Sequence, residues 1–151
     1  MPNLSPEDRL ALAKRMTEAI PHSQALGLSP VEIGEGMALM KIPYAPHLIG
    51  DPQTGVLHGG VITTLLDSTC GTAVMTHPSV PGGTATIDLR IAYMRPAQAG
   101  RDVFARATCF RVTRNVAFVR AVAFTEDEDK PVATAAGAFT VEGSGKIGAK
   151  P

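Results

Sequence analysis

The stretch Thr54–Met75, "TGVLHGGVITTLLDSTCGTAVM", decides how this 151-residue chain is read. A histidine and two glycines, His58, Gly59 and Gly60, lead into an apolar run. Ile62, Leu65, Leu66, Thr69 and Ala73 recur at spacings of three and four, which is the period of a helix from Gly59 to about Met75. This helix is apolar nearly all round, as required of one buried on most sides. One carboxylate, Asp67, stands among Leu65, Leu66, Cys70 and Val74. Leaving it ionised there is costly unless something compensates.

The flanking sequence supplies the cover. After the helix and the turn-rich "HPSVPGG" come four strand-like segments. "TATIDLRIAYMRP" sets Ile87, Leu89, Ile91 and Tyr93 against Asp88, Arg90 and Met94, with Ala92 breaking the polar side. "RDVFARATCFRVT" sets Val103, Ala105, Ala107 and Cys109 against Phe104, Arg106, Thr108 and Phe110. "NVAFVRAVAFTE" and "KPVATAAGAFTVEG" follow, divided from their neighbours by a Thr113–Asn115 turn and the acidic loop Glu126–Asp129. Alanine weakens strand propensity, but on one face it suits a sheet wrapped closely around a helix.

Upstream, Ser5 can cap a helix with Pro6 at its first position and Glu7 and Asp8 at the positive end of its dipole. Leu10, Ala13, Met16 or Thr17, and Ile20 form its apolar stripe, and Pro21 is expected to stop it. It reads as a packing helix without chemistry. A hairpin follows, with Val31–Ile33 and Met37–Ile42 joined at Gly34-Glu35-Gly36. A loop rich in proline and glycine then carries the chain to His58. The order is helix, two strands, one apolar helix, four strands. That fits an α+β fold, an antiparallel sheet wrapped around a long central helix. The expected organisation is an N-terminal helix over 1–22, one domain over 23–142 and a frayed tail over 143–151.

Composition narrows the function. Lysine plus arginine and aspartate plus glutamate are 14 each, so no global charge recruits nucleic acid or an acidic membrane. No apolar run reaches the roughly 18 residues of a spanning helix, and "MPNLSPEDRL" lacks the apolar core of a signal peptide, so a cytoplasmic location is expected. Cys70 and Cys109 lie in apolar segments without metal-ligand spacing, as small buried hydrophobes do. His22, His47 and His77 likewise lack partners at metal spacing, and neither a phosphate loop nor a serine elbow is present.

Gly59 and Gly60 at a helix start can present free N–H groups to a developing oxyanion, or can simply turn the corner into the helix. Asp67 shares a face with Thr63, Thr64, Cys70 and Gly71. There it can be a base or nucleophile held by a threonine hydroxyl, or a carboxylate at an exposed helix edge. Asp67 and Gly59 are eight residues apart, about 12 Å along a helix axis. A reacting group must approach to roughly 3–3.5 Å, so one helix cannot bring both to one carbonyl. Two such helices antiparallel across a twofold axis can, with two sites per dimer. If both groups are catalytic, the protein is an obligate dimer.

"GVLHGGVITTLLDSTCGTAVM" followed by "TATIDLRIAYMRPA" resembles the hotdog-fold acyl-CoA thioesterases. The resemblance is to the phenylacetate-degradation, PaaI-like type of the 4-hydroxybenzoyl-CoA thioesterase superfamily, over roughly residues 25–142. It implies a homodimer, commonly doubled to a dimer of dimers, and hydrolysis of an acyl-CoA thioester with no metal or redox cofactor. Coenzyme A enters only as part of the substrate. On this chain it implies that the Gly59 amide polarises the carbonyl and His58 positions that end of the substrate. The partner's Asp67 then activates water or attacks, and Thr86 orients the water or the carboxylate. Gly60, Arg95, Arg90, Arg114 and Gln53 are the candidates for contacts with the substrate and its coenzyme A. In one place the chain departs from the family. Pro52 stands where an asparagine six residues before the histidine is common, with Asp51 or Gln53 as substitutes in an altered "GDPQTG" loop. Two other activities remain compatible with these residues: a non-catalytic acyl-CoA-binding or sensor protein, and a hotdog enoyl-CoA hydratase or dehydratase.

Overall fold

A computed structural model describes residues 3–143, and the tail expected over 143–151 falls outside them from residue 144 on. Helix α1 spans Pro6–Glu18, with the Ser5 hydroxyl accepting from the Asp8 N–H at 3.1 Å. Pro21 does not merely stop this helix. It opens a second one, α2, Pro21–Leu26, closed by Gly27 at φ 67°. The two roles are compatible, because proline has no N–H to continue one helix but fits the first turn of the next.

Strands β1 (Ser29–Gly34) and β2 (Met37–Ile42) form the expected hairpin around Glu35-Gly36, with Gly36 in the left-handed region at φ 66°. After a single 3-10 turn at Pro46–Leu48 comes α3, Gly59–Met75. Strands β3 (Thr86–Tyr93), β4 (Val103–Val112), β5 (Val116–Phe124) and β6 (Ala133–Thr140) complete the chain. They join β1 and β2 in one six-stranded antiparallel sheet of order β1-β2-β4-β5-β6-β3.

The core lies between this sheet and α3. Leu65, Leu66, Cys70, Ala73 and Val74 of α3 are wholly buried. They pack against the inward alanines and valines of β4 to β6, among them Ala105, Ala107, Ala117, Val119 and Ala123. Each leucine so buried is worth about 1.5–3 kcal/mol. The alanine-rich strands thus serve the close approach of helix to sheet. Gly137 on β6 sits where β3 comes closest, since an added Cβ would lie 2.5 Å from the Asp88 carbonyl oxygen.

Strand β3 differs from the alternation its sequence suggests. Only Leu89 and Ile91 are partly buried, while Ile87, Tyr93 and Met94 are 56%, 53% and 55% exposed. The reason is topological. β3 is a sheet edge paired only to β6, and its register slips between Thr86 and Asp88, where a bulge turns the strand. An edge of this kind keeps unpaired backbone groups along its free side.

Candidate functional site

The loop before α3 fixes where the helix begins. His58 donates its backbone N–H to Leu48 O at 2.9 Å, and Ile49 bridges Leu57. Gly50 fits directly against this point, for an added Cβ would meet His58 Cα at 2.7 Å. His58 is the N-cap of α3, and its Nδ1 accepts the Gly60 N–H at 2.9 Å. That bond needs the Nδ1 lone pair, so the imidazole proton sits on Nε2, which faces away from the cap as a donor. The Val61 N–H is taken by His58 O at 2.9 Å. The Gly59 N–H has no partner among the described residues. The Gly59 amide is therefore available to bind something else at the positive end of the dipole.

Eight residues on, Asp67 is half-buried. Its Oδ1 accepts the Thr86 hydroxyl at 2.7 Å, from the first residue of β3. Ser68 flanks it, and the wholly buried Cys70 stands one helical turn further on. Burial, reinforced by the nearby Asp67 charge, pushes the Cys70 thiol up to about 12, so it stays a neutral thiol. The other face threonines, Thr63 and Thr64, donate to Gly59 O at 3.2 Å and Gly60 O at 3.0 Å.

The other candidates scatter. Gln53 is exposed, in a loop closed by Asp51, which accepts the Gln53 N–H at 2.9 Å and the Thr54 hydroxyl at 2.7 Å. Those bonds, the Thr54 hydroxyl first, hold the Asp51 carboxyl below its usual range and turn it toward its own loop. Arg90 lies mid-strand opposite Ala136, Arg95 lies by Val132 beyond the end of β3, and Arg114 lies in the β4–β5 turn at the opposite end of the sheet. Within one protomer these three arginines do not converge.

Two features escaped the sequence reading. Tyr93, at the far end of β3 from Thr86, reaches the α3 N-terminus, where its hydroxyl bonds the Thr63 hydroxyl and lies 3.3 Å from Gly59 O. A strand antiparallel to the helix thus touches both ends of the motif, Thr86 at Asp67 and Tyr93 at Gly59. The second is a cavity of about 480 Å3 beside Asp67 and Thr86, walled in part by α1 and α2. The spacing of the apolar stripe marks which side of α1 packs, but gives no sign that the packing is incomplete.

A partly buried carboxylate with a hydroxyl donor and an apolar cavity beside it, and a helix-start amide without a partner among the described residues, are groups that can serve acyl transfer, carried on a sheet wrapped around a helix. The chain belongs to the thioesterase superfamily, whose family model matches residues 54–132. A Pseudomonas aeruginosa protein of known crystal structure is 42% identical with a TM-score of 0.78, covering 87% of this chain and 98% of its own. A variant of the phenylacetic acid degradation protein PaaI from Thermus thermophilus is 29% identical with a TM-score of 0.71, covering 82% of this chain and 100% of that one. The medium/long-chain acyl-CoA thioesterase YigI of Salmonella typhimurium is 28% identical over 139 residues, 83% of this chain and 89% of its own length. The hotdog fold and the PaaI-like resemblance read from the two motifs agree with these likenesses. Among the described residues, no helix is long and apolar enough to cross a membrane.

Proposed function

We propose that the protein hydrolyses acyl-CoA thioesters to a free acid and coenzyme A. The observation that carries this reading is the Thr86–Asp67 hydrogen bond at 2.7 Å beside an apolar cavity. A hydroxyl donor holds the carboxylate in one orientation, as a base acting on water or a nucleophile acting on carbon requires. Membership of the thioesterase superfamily and the named activity of YigI support the same reaction.

The Gly59 N–H takes the developing oxyanion, and His58, the N-cap beside it, helps position that end of the substrate. Since Gly59 and Asp67 are about 12 Å apart along one helix, the carboxylate serves the Gly59 of a second subunit. The open β3 edge, with Ile87, Tyr93 and Met94 exposed, is the surface on which the homodimer pairs, and a dimer of dimers is built from two such pairs. In that dimer Arg114, at the Thr86 end of one subunit, approaches the Gly59 and Arg95 end of its partner. The three scattered arginines then meet around the coenzyme A phosphates. No metal or redox group takes part, and the protein acts in the cytoplasm.

The test is thiol release from a panel of acyl-CoAs by wild type and Asp67→Asn. Loss of at least about a thousandfold in kcat, with an unchanged melting temperature, is expected. Full activity of folded Asp67→Asn would refute the reading. Binding without thiol release across the whole panel would favour the acyl-CoA sensor instead.

A further inference from the structure

The cavity next to Asp67 has two walls. One belongs to the wrapped sheet and α3, where Gly71, Met75 and Phe139 line it. The other belongs to the N-terminal helices, where Ala13 and Thr17 of α1 and Ser23 of α2 line it, all of them buried. The surfaces presented are apolar in effect. The Thr17 hydroxyl is spent on Ala13 O at 2.8 Å and the Thr72 hydroxyl on Ser68 O at 2.8 Å. Among the described residues no lysine or arginine lines the cavity, and Asp67 is the one carboxylate that does. Exposed Thr86 and half-buried Asp67 mark the side where a thioester would sit. At the other margin are Met16 and Ile20, which also line the cavity yet are 39% and 51% exposed. These two side chains extend the apolar surface of the cavity to its rim, where an apolar ligand can cover them.

Resting on the thioesterase reading above, we propose that α1 and α2 form the acyl-specificity wall. An uncharged, medium-length acyl tail lies between them and α3, passes Ser23, and covers Met16 and Ile20 with its end. The volume supports this length. A cavity of about 480 Å3 has room for at most about sixteen water-sized groups at roughly 30 Å3 each, which a medium-length tail fits within. A charged acyl group finds no partner on these walls, and a two- or three-carbon acyl group leaves most of the cavity unfilled.

Chain-length profiles test it. Thiol release from butyryl-, octanoyl- and dodecanoyl-CoA is measured for wild type, Ser23→Leu and Ile20→Ser. Ser23→Leu puts a larger side chain into the tail's path. The ratio of kcat/KM for dodecanoyl-CoA to that for butyryl-CoA should fall at least about tenfold. Ile20→Ser, on an exposed position that folding tolerates, should lower the same ratio several-fold and carries the test if Ser23→Leu does not fold. Unaltered ratios in folded variants would overturn the proposal while leaving thioester hydrolysis intact. Wild type that releases no thiol from any of the three would instead overturn the hydrolase reading. The wall is then judged by calorimetry, in which Ile20→Ser should weaken binding of dodecanoyl-CoA to Asp67→Asn and equal affinity would overturn it.

Discussion

Replacing Thr86 by alanine removes one hydroxyl and little else, because the residue is exposed at the first position of an edge strand. What is lost is the 2.7 Å hydrogen bond to Asp67 Oδ1. A hydrogen bond to a charged group is worth about 1.5–3 kcal/mol. Asp67 is only half-buried and Thr86 is open to solvent, so the lower end applies. About 1.5 kcal/mol in the transition state is roughly tenfold in rate. Fold stability should move by no more than about 0.5 kcal/mol, as for other exposed substitutions. A thiol-release assay should then show kcat down about tenfold with KM within twofold, because the hydroxyl aims a carboxylate and does not hold the substrate. Thr86→Ser, which keeps the donor, should restore most of the rate. A folded Thr86→Ala protein with wild-type kcat would refute the assigned role, and so would a Thr86→Ser protein as slow as Thr86→Ala.

Other consequences follow from burial and close approach. Gly137→Ala puts a Cβ 2.5 Å from Asp88 O, so β3 must move off β6. A loss of about 1–3 kcal/mol is expected, seen as a melting temperature lower by several degrees, together with reduced kcat because β3 carries Thr86. A melting curve matching wild type would show that the two strands separate freely. Cys70, pushed up to about 12, should resist an aromatic disulfide reagent at pH 8 in the folded protein and react on addition of urea. The same shift makes stability depend on alkali. A raised thiol contributes fully below its ordinary value of 9.0, and the contribution is lost as pH climbs from there toward about 12. Urea midpoints that do not fall over that window in wild type more than in Cys70→Ala would contradict the burial of the thiol.

Much of the fold was legible because each element satisfied two conditions at once. The Gly59–Met75 helix carried both the 3.6-residue period and an apolar surface too broad for a one-sided helix. Strand β4 carried alternation because one face meets α3 and the other is more open to solvent, as Ala105 and Arg106 illustrate. Strand β3 failed that rule because it is an edge, where exposure is set by what lies beside it in space and not by sequence period. Helix α2 was missed because six residues are too few to display a period, and Pro21 reads equally as a stop or a start. At the site, the spacing of Gly59 and Asp67 was visible along the chain. The Thr86 hydroxyl came through the resemblance. Tyr93, 34 residues from Gly59 in sequence, had no local signal at all, and neither had the part of α1 and α2 in the cavity. Long-range pairing creates those neighbours, and a single sequence does not record it.

The shared site can be tested with two variants that each remove one half of it. Gly59→Pro deletes the N–H alone, since Gly59 is the first helical residue, where proline is at home, and His58 already has the extended backbone that precedes proline, φ −61° and ψ 137°. An added Cβ at Gly59 meets Tyr93 Cε1 no closer than 3.8 Å. Asp67→Asn removes the carboxylate. Each variant alone should be inactive. In a mixed dimer, separated by two different affinity tags, one site combines the intact Gly59 of one chain with the intact Asp67 of the other. A site shared between subunits predicts that mixing restores about half of the wild-type thiol release. A mixed dimer as inactive as its parents would place both groups within one chain's site and contradict the shared-site reading.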